Sequence, residues 1–227
     1  SMHVEEIKRT ESKHDGSIQR HLTAINRDYL SSPLQSLARY NYLKKQFSVL
    51  DYGCGKGDDV RELEAHEFKV NGWDPVYKTN GKKIKSDIVN LGFVINVIED
   101  RKERDEALQN AYKYAKKILV VSAMLYGSRG GRSFTPYRDG SITSRQTFQK
   151  YYSQSDLKQY IENTIKNNAI AISPGTFYVF RDKREEQSFL LDRQKVRFAW
   201  HQLTKREKNK KEKIRKTVIE KNKELFE

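Results

Sequence analysis

The fold is decided by the stretch Val49-Leu50-Asp51-Tyr52-Gly53-Cys54-Gly55-Lys56-Gly57, in which an apolar run ends in an acid and three glycines follow at every second position. Glycine reaches backbone conformations that other residues avoid, so such a turn lets a ligand approach the backbone and leaves amide N–H groups free at the start of a helix. The G-x-G-x-G spacing differs from the G-x-G-x-x-G of dinucleotide-binding folds, and the lysine–serine pair of phosphate-binding loops is missing. The stretch therefore predicts a strand, a ligand-binding turn and a helix, with a purely structural turn as the alternative.

A second acid, Asp74, ends the next predicted strand, 23 residues after Asp51. An acidic side chain at this place in a nucleotide-binding fold accepts hydrogen bonds from ribose hydroxyls. Because Pro75 follows, Asp74 could instead be a turn residue that ends the strand. The glycine turn and Asp74 together favour a nucleoside-type ligand.

Predicted strands alternate with predicted helices after the glycine turn, a pattern typical of a parallel α/β sheet. Two later strands are joined by Pro174-Gly175, a turn signal, and predict an antiparallel pair at the end of the sheet. The predicted strands are 47–52, 68–73, 87–97, 118–125, 169–173 and 176–181, and the predicted helices are 33–45, 58–66, 100–117 and 155–165.

The charge of the chain favours an anionic partner. The 227 residues carry a net charge of +14 and a pI near 9.6, which indicates nucleic acid before an anionic membrane surface. Residues 183–227 hold 15 basic and 8 acidic side chains, half of the net charge, although a solvated helix would show the same pattern. We divide the chain into a helical lid at 1–45, an α/β domain at 46–182 and a basic helical tail at 183–227.

Composition excludes several classes of protein. No run approaches the ~18 apolar residues of a membrane span, and the first residues do not form a secretion signal, so we expect a cytoplasmic protein without a membrane partner. The single cysteine, Cys54, rules out an internal disulfide framework. The five histidines form no cluster with metal-ligand spacing, so no metal site is expected.

A long loop at residues 126–152 mixes cations with aromatic rings. Loops of this length in a compact domain are usually functional. Arginine forks bind phosphates and aromatic faces stack on bases, whereas a solvated loop anchored by its rings is the alternative. The expected phosphate-binding residues are Arg129, Arg132, Arg138, Arg145 and Lys150, and the interleaved rings are Tyr126, Phe134, Tyr137, Phe148, Tyr151 and Tyr152.

These motifs resemble those of the class I S-adenosylmethionine-dependent methyltransferases over residues 47–181. The shared features are D-x-G-x-G-x-G, an acid that ends the second strand, a polar segment at 96–100 before a helix, and a final antiparallel hairpin. Over residues 20–181 the sequence is also similar to the methyltransferases associated with bacterial DNA phosphorothioation systems. The stretches that carry the finer resemblance are Arg20-His21-Leu22-Thr23-Ala24-Ile25-Asn26-Arg27, Leu30-Ser31-Ser32-Pro33-Leu34, the glycine turn with Asp58-Asp59-Val60, Gly72-Trp73-Asp74-Pro75, Val89-Asn90-Leu91-Gly92-Phe93-Val94-Ile95-Asn96-Val97-Ile98-Glu99-Asp100, Thr147-Phe148-Gln149-Lys150-Tyr151-Tyr152 and Gly175-Thr176-Phe177-Tyr178-Val179-Phe180.

The resemblance implies a Rossmann-like, doubly wound sheet of seven mostly parallel strands, with S-adenosyl-L-methionine as cofactor. Asp87 would then hold the adenine amino group, or else begin a strand, since residues 75–86 leave little room for a helix and a third strand. The other implied cofactor residues are Asp51, Gly53, Cys54 and Gly55 at the methionine part, Asp74 at the ribose, and Trp73 and Pro75 beside the adenine.

The residue types present exclude some classes of methyl acceptor. None of the four prolines forms the Pro-Pro pair of the usual amino-directed DNA methyltransferase site, and Cys54 lies inside the glycine turn rather than where a C5-methylating nucleophile is needed. The acceptors that remain are a hydroxyl, a nitrogen reached in another way, or another nucleophile. The candidates that would position it or act as a base are His21, Asn96, Glu99 and Tyr151, of which His21 could be an ordinary helix residue and Asn96 and Glu99 could serve helix capping.

The sequence therefore predicts methyl transfer from S-adenosylmethionine to DNA or RNA in a bacterial DNA-modification or defence setting, with defence-system proteins as further partners. Two alternatives stay open. One is a catalytically silent nucleic-acid-binding module of a defence complex. The other is a small-molecule methyltransferase with an incidental basic tail.

Overall fold

The computed structural model describes residues 30–127, 135–142 and 147–224, with side chains described through residue 216. Its helices are α1 (Ser32–Arg39), α2 (Asp58–Ala65), α3 (Arg101–Tyr114), α4 (Gln154–Ile165) and α5 (Lys183–Glu224). Its strands are β1 (Val49–Tyr52), β2 (Val70–Trp73), β3 (Ser86–Gly92), β4 (Ala115–Ser122), β5 (Thr135–Tyr137), β6 (Gly140–Ile142), β7 (Phe148–Gln149), β8 (Ile170–Ser173) and β9 (Thr176–Phe180).

The main sheet has the strand order β2-β1-β3-β4-β9-β8. The first four strands are parallel, and β9 and β8 add an antiparallel pair beside β4, as the turn at Pro174-Gly175 predicts. The chain order reverses between β1 and β3, because β2 lies on one side of β1 and β3 on the other. In an open α/β sheet, ligands bind beyond the carboxyl ends of the strands at such a reversal.

Apolar side chains cover both faces of this sheet because successive residues of a strand point to opposite faces. Val49 and Ile88 belong to the core that includes α1 and the first turns of α5. Leu50 and Val89 belong to the core that includes α3 and α4. The alternation turns the side chain of Asp51 toward the face that α1 covers.

Three expectations about the elements are wrong. In the described residues the main sheet has six strands rather than seven, because residues 75–85 form turns and irregular backbone where the resemblance implied a helix and a third strand. The helix predicted at 33–45 ends at Arg39, since Asn41 adopts a positive φ that breaks it. Helix α4 begins at Gln154, one residue before the predicted start at 155, and the Ser153 hydroxyl accepts the capping hydrogen bond from the N–H of Asp156.

The long loop contains a second sheet that the sequence analysis did not predict, with the order β5-β6-β7. Tyr137 pairs with Gly140 across the two-residue turn Arg138-Asp139, and Arg138 adopts φ +50°. The central pair Arg138-Asp139 is not one of the glycine-containing pairs that signal such a turn, and Gly140 lies in β6. The sequence therefore carried no clear cue for this hairpin.

Helix α5 begins inside the core and continues along the surface. Glu186 and Phe189 are buried near its start, whereas the side chains of residues 194–216 are all exposed. The 42 residues of α5 correspond to a length of about 63 Å. The predicted tail is helical over Lys183–Glu224, and its first turns pack into the core of the α/β domain. Across the described part of the chain, no helix is long and apolar enough to cross a membrane.

Candidate functional site

The glycine turn joins β1 to α2 and has the conformation that the sequence predicts. Gly53, Gly55 and Gly57 have φ values of +85°, +53° and +80°, which only glycine adopts readily. The N–H groups of Gly53 and Cys54 donate to the carbonyl of Trp73 and tie the turn to the end of β2. A Cβ atom at Gly55 would meet no described heavy atom within 4 Å, so this position faces open space.

Asp51 and Asn90 lie side by side below the turn. They are register partners on the parallel strands β1 and β3, and the Asn90 amide donates to Asp51 Oδ1 at 3.0 Å. Asp51 is only 5% exposed, and this burial raises the pKa of its carboxyl group to about 7. A carboxyl group with this pKa is ready to ionise when a cation binds nearby.

Asn90 is a site residue that the sequence analysis missed. The only cue was a polar residue inside the apolar run at 88–95. Its Oδ1 atom is buried and has no hydrogen-bond partner among the described residues. An acceptor left free beside Asp51 is typical of a binding site rather than of an apolar core.

Asp74 reaches the same turn from the end of β2. Its Oδ2 atom accepts from the N–H of Gly55 at 3.0 Å. Its Oδ1 atom accepts from the N–H groups of Val76 and Tyr77 at 2.8 and 2.9 Å. Asp74 therefore is a strand-ending turn residue, and one lone pair of Oδ2 next to Gly55 is still available for a further donor.

The segment 92–100 follows β3 and borders the turn. A Cβ atom at Gly53 would lie 2.4 Å from Val94 Cγ2, so only glycine fits against this segment. Two residues on, Asn96 is 2% exposed, and its Oδ1 atom has no hydrogen-bond partner among the described residues. Asp100 caps α3 by accepting from the N–H of Glu103, and Glu99 is exposed at the rim.

The small sheet packs against this same segment. Arg104, 1% exposed, donates through Nε and Nη2 to the carbonyl of Ile98 and through Nη1 and Nη2 to the Asp139 carboxylate. This pairing lowers the pKa of Asp139 to about 2. The N–H of Lys150 also donates to the carbonyl of Asn96 at 2.7 Å. The long loop and the 96–100 segment therefore border one surface.

Two predicted phosphate-binding residues lie at this surface, and both are near acids. Lys150 Nζ donates to the Asp139 carbonyl and lies 3.3 Å from its Oδ2 atom. Arg138 Nη1 lies 3.6 Å from Asp100 Oδ2, with both side chains half exposed. The remaining predicted residues, His21, Arg129, Arg132 and Arg145, lie outside the described residues.

A cavity of about 310 Å³ opens between the long loop, α3 and α4. The predicted candidates Lys150 and Tyr151 line it, and the ring of Tyr151 lies 6.3 Å from that of Tyr126. Arg101 and Arg104 also line this cavity, and the sequence analysis assigned no role to either residue. The cavity thus combines aromatic rings with cations and with the carboxylates of Asp139 and Asp156, of which Asp139 pairs with Arg104 and Lys150.

The adenine role assigned to Asp87 is wrong. Asp87 lies near the amino end of β3, where Oδ2 accepts from the N–H of Ser48 at 2.9 Å and from its hydroxyl at 3.1 Å. Ser48 precedes β1 and Gly53 follows it, so the Asp87–Ser48 pair lies at the other end of that strand from the glycine turn, about 16 Å away. Asp87 is a strand-start residue, the alternative that its spacing left open.

The other residues implied around the cofactor lie at the turn. Trp73 packs on the Tyr52 ring, 4.9 Å between centroids, and the Lys83 ammonium lies 4.1 Å above the Trp73 ring. Pro75 is exposed in the turn after β2. Burial, followed by the charge of Asp51, raises the pKa of the Cys54 thiol to about 11, so the thiol stays protonated and is a poor nucleophile.

Solved structures with the same architecture identify the fold. The sugar N-methyltransferase KedS8 from Streptoalloteichus sp ATCC 53650 superposes with a TM-score of 0.51 at 12% identity, over 81% of this chain and 100% of that one. The chain has the class I methyltransferase fold. A methyltransferase from Aquifex aeolicus matches at a TM-score of 0.46 and 17% identity over 71% and 95% of the two chains, and magnesium protoporphyrin IX methyltransferase from Synechocystis PCC 6803 matches at 0.45 and 13% over 76% and 90%.

No protein-family model matches the sequence, and no curated protein matches it either. The class I methyltransferase fold therefore rests on the strand order and on the KedS8 superposition. Within residues 30–127, 135–142 and 147–224, no three histidine, cysteine or acidic side chains gather as a metal site.

Proposed function

We propose that the protein transfers a methyl group from S-adenosylmethionine to a nucleic acid. One observation carries the proposal: on a class I methyltransferase fold, the glycine turn faces open space at Gly55 while Asp51 lies buried below it and Asp74 beside it. The glycine turn, Asp51 and Asp74 thus lie together at the strand-order reversal, where such folds bind ligands. Together they suit a ligand that has both a nucleoside part and an amino-acid part.

The residues present fit this cofactor. The space above Gly55 would receive its methionine part, and the ammonium group would find Asp51 and the free Asn90 Oδ1 atom. The free lone pair of Asp74 Oδ2 would accept from a ribose hydroxyl. Trp73 and Pro75 would border the adenine.

When bound, S-adenosylmethionine supplies an electrophilic methyl group, whose bond to sulfur breaks as a lone pair of the acceptor forms the new bond and the acceptor loses a proton. The protein's own contribution is binding and orientation. The free Asn96 Oδ1 atom would accept a hydrogen bond from the acceptor group, and the segment 92–100 would bring that group next to the glycine turn.

Charge and cavity chemistry support a nucleic-acid acceptor. The net charge of +14 favours a polyanion, and the cavity beside Lys150 and Tyr151 offers both cations and stacking faces. The similar structures are named for sugar and porphyrin substrates, so a small-molecule acceptor is the rival. A bacterial defence or DNA-modification setting, with defence-system protein partners, follows from the sequence resemblance alone.

The test is incubation of the full chain with S-adenosylmethionine labelled at the methyl group and separate DNA, tRNA and rRNA pools. The proposal expects label in one nucleic-acid pool. The variant Asn96→Ala should lower the rate of transfer while leaving the cofactor Kd nearly unchanged, because Asn96 acts on the acceptor. Cofactor binding with no label in any pool would favour the silent binding module, and label only in small molecules would favour the rival acceptor.

A further inference from the structure

A groove of about 750 Å³ lies at the amino ends of the parallel strands. One wall is the segment 39–47 that leads into β1, and the other is the first four turns of α5. The glycine turn follows the opposite, carboxyl end of β1. The groove is therefore a site separate from the one at which methyl transfer is proposed.

Cations dominate the lining of the groove. Its two carboxylates already have ion-pair partners, since Glu185 lies 2.8 Å from the Lys117 ammonium and Asp192 lies 3.7 Å from that of Lys195. The lining thus has an excess of positive charge for a ligand. The cations that line it are Arg39, Lys44, Arg184, Arg193 and Arg197.

Aromatic rings alternate with these cations. The Arg193 guanidinium lies 5.7 Å from the ring centroid of half-buried Tyr40 and 5.5 Å from that of Phe189, which is itself buried in the core, so Tyr40 is the ring of this pair that can meet a base. Lys44 Nζ lies 5.5 Å from the Phe47 ring centroid. Surfaces that bind single-stranded nucleic acid combine the same two features, because every base has a face that stacks and every phosphate attracts a cation.

Helix α5 continues the groove outward. Val196 lines the groove, and Trp200, one turn further along the same face, is 65% exposed. Residues 205–216 then carry eight basic and two acidic side chains, and all of them are exposed. From Arg184 to residue 216 the helix runs for about 50 Å. Groove and helix together form a cationic track, which is interrupted for about 12 Å between Arg197 and Lys205, where Trp200 lies and no lysine or arginine occurs.

We propose that this track binds single-stranded nucleic acid, with bases stacked on the groove rings and on Trp200 and phosphates held by the arginines and lysines. A second copy of the chain does not suit the track, because like charges along α5 would face each other. An acidic protein segment has the complementary charge, but its carboxylate side chains would not stack on the aromatic rings of the groove as bases would. The inference goes beyond the proposed methyl transfer, since it assigns a binding surface on another edge of the sheet.

The experiment measures binding of fluorescein-labelled oligothymidine and oligouridine to the full chain by anisotropy, without cofactor. Trp200→Ala should weaken binding about tenfold, the scale of removing one base stack. Arg197→Glu should weaken binding and reduce the slope of log affinity against log salt by about 0.7. The matched control is Lys113→Glu, an equal change of charge at an exposed residue of α3 on the opposite face of the sheet. It should reduce binding much less.

A second readout separates the partners. The chain has two tryptophans, Trp73 and Trp200, so Trp73→Phe leaves Trp200 as the single probe. Oligothymidine should quench its fluorescence, whereas polyglutamate should not. Equal effects of Arg197→Glu and Lys113→Glu would overturn the proposal, as would tight binding of polyglutamate without quenching by oligothymidine, which would make the track a site for acidic proteins. These binding assays involve neither cofactor nor methyl transfer. A negative result would therefore not contradict the proposed reaction, and absence of methyl transfer would not contradict binding at the track.

Discussion

Asp51 is the most unusual single residue of the site, because a carboxyl group with a pKa of about 7 lies among apolar strands. Between the ordinary pKa near 4 and this value, the folded protein keeps a proton that the unfolded chain releases. The free energy of unfolding therefore falls as pH rises across this window, by at most about 1.4 kcal/mol per pH unit.

Comparison with Asp51→Asn isolates this effect, since the amide cannot titrate. From pH 5 to pH 7, the stability of the wild-type protein relative to Asp51→Asn should fall by up to about 2.7 kcal/mol. Urea denaturation without cofactor measures it. Parallel stability curves for the two proteins would mean that Asp51 titrates normally.

Asp74 carries the ribose assignment. Asp74→Ala should weaken S-adenosylmethionine binding by roughly 1.5–3 kcal/mol, the scale of one hydrogen bond to a charged group, because only one lone pair of the carboxylate is free for the ribose. Because the carboxylate also accepts from Gly55, Val76 and Tyr77, thermal unfolding must first show that the variant is folded. Asp74→Asn keeps acceptor capacity without the charge and should weaken binding less. A folded Asp74→Ala protein with unchanged affinity would contradict the assignment.

At the scale of the elements, Arg104 joins α3 to the small sheet. It is nearly fully buried and contacts both Ile98 and Asp139. Arg104→Met would leave the Ile98 carbonyl without its donor and should lower the free energy of unfolding by about 2–3 kcal/mol. Asp139→Asn should destabilise the protein less, since the Asp139 side chain is partly exposed.

The pH dependence of the free energy of unfolding shows whether the ion pair between Arg104 and Asp139 stabilises the protein. The pKa of Asp139 is lowered to about 2, so its contribution is present above the ordinary pKa near 4 and is lost as pH falls toward 2. The stability difference between wild type and Asp139→Asn should therefore shrink over that window. A difference that stays constant from pH 5 to pH 2.5 would mean that charge does not hold the small sheet.

Local patterns predicted most of the elements, because the strands are apolar runs bounded by turn residues and each helix has an apolar face. The Pro174-Gly175 turn placed the antiparallel pair correctly. Two features depend on tertiary contacts, so local sequence patterns could not predict them. These are the hydrogen bond between Asp51 and Asn90 and the burial of Arg104. The prediction of a seventh strand was wrong. It came from the resemblance, although residues 75–86 are too few for a helix and a further strand.

At the scale of the whole molecule, the basic tail and the cofactor site lie on separate parts of the chain. Deleting the chain after Leu203 removes residues 205–216 and should weaken nucleic-acid binding. For a single-stranded ligand, the slope of log affinity against log salt should fall by about 0.7 for each phosphate that the tail neutralises in the full chain. Cofactor affinity should not change, because the glycine turn and Asp74 lie in the α/β domain. A salt slope equal to that of the full chain would show that the tail binds no phosphates.

Calorimetric titration of the full chain with S-adenosylmethionine measures whether the glycine turn binds this cofactor. Gly55→Ala places a methyl group in the open space above the turn. Gly127→Ala is the matched control: Gly127 also has a positive φ, and it also has no described atom within 4 Å of its Cβ position. We predict saturable one-to-one binding to the wild-type protein and to Gly127→Ala, and binding at least about tenfold weaker to Gly55→Ala. No binding to the wild-type protein, or equal affinity in all three, would contradict the account.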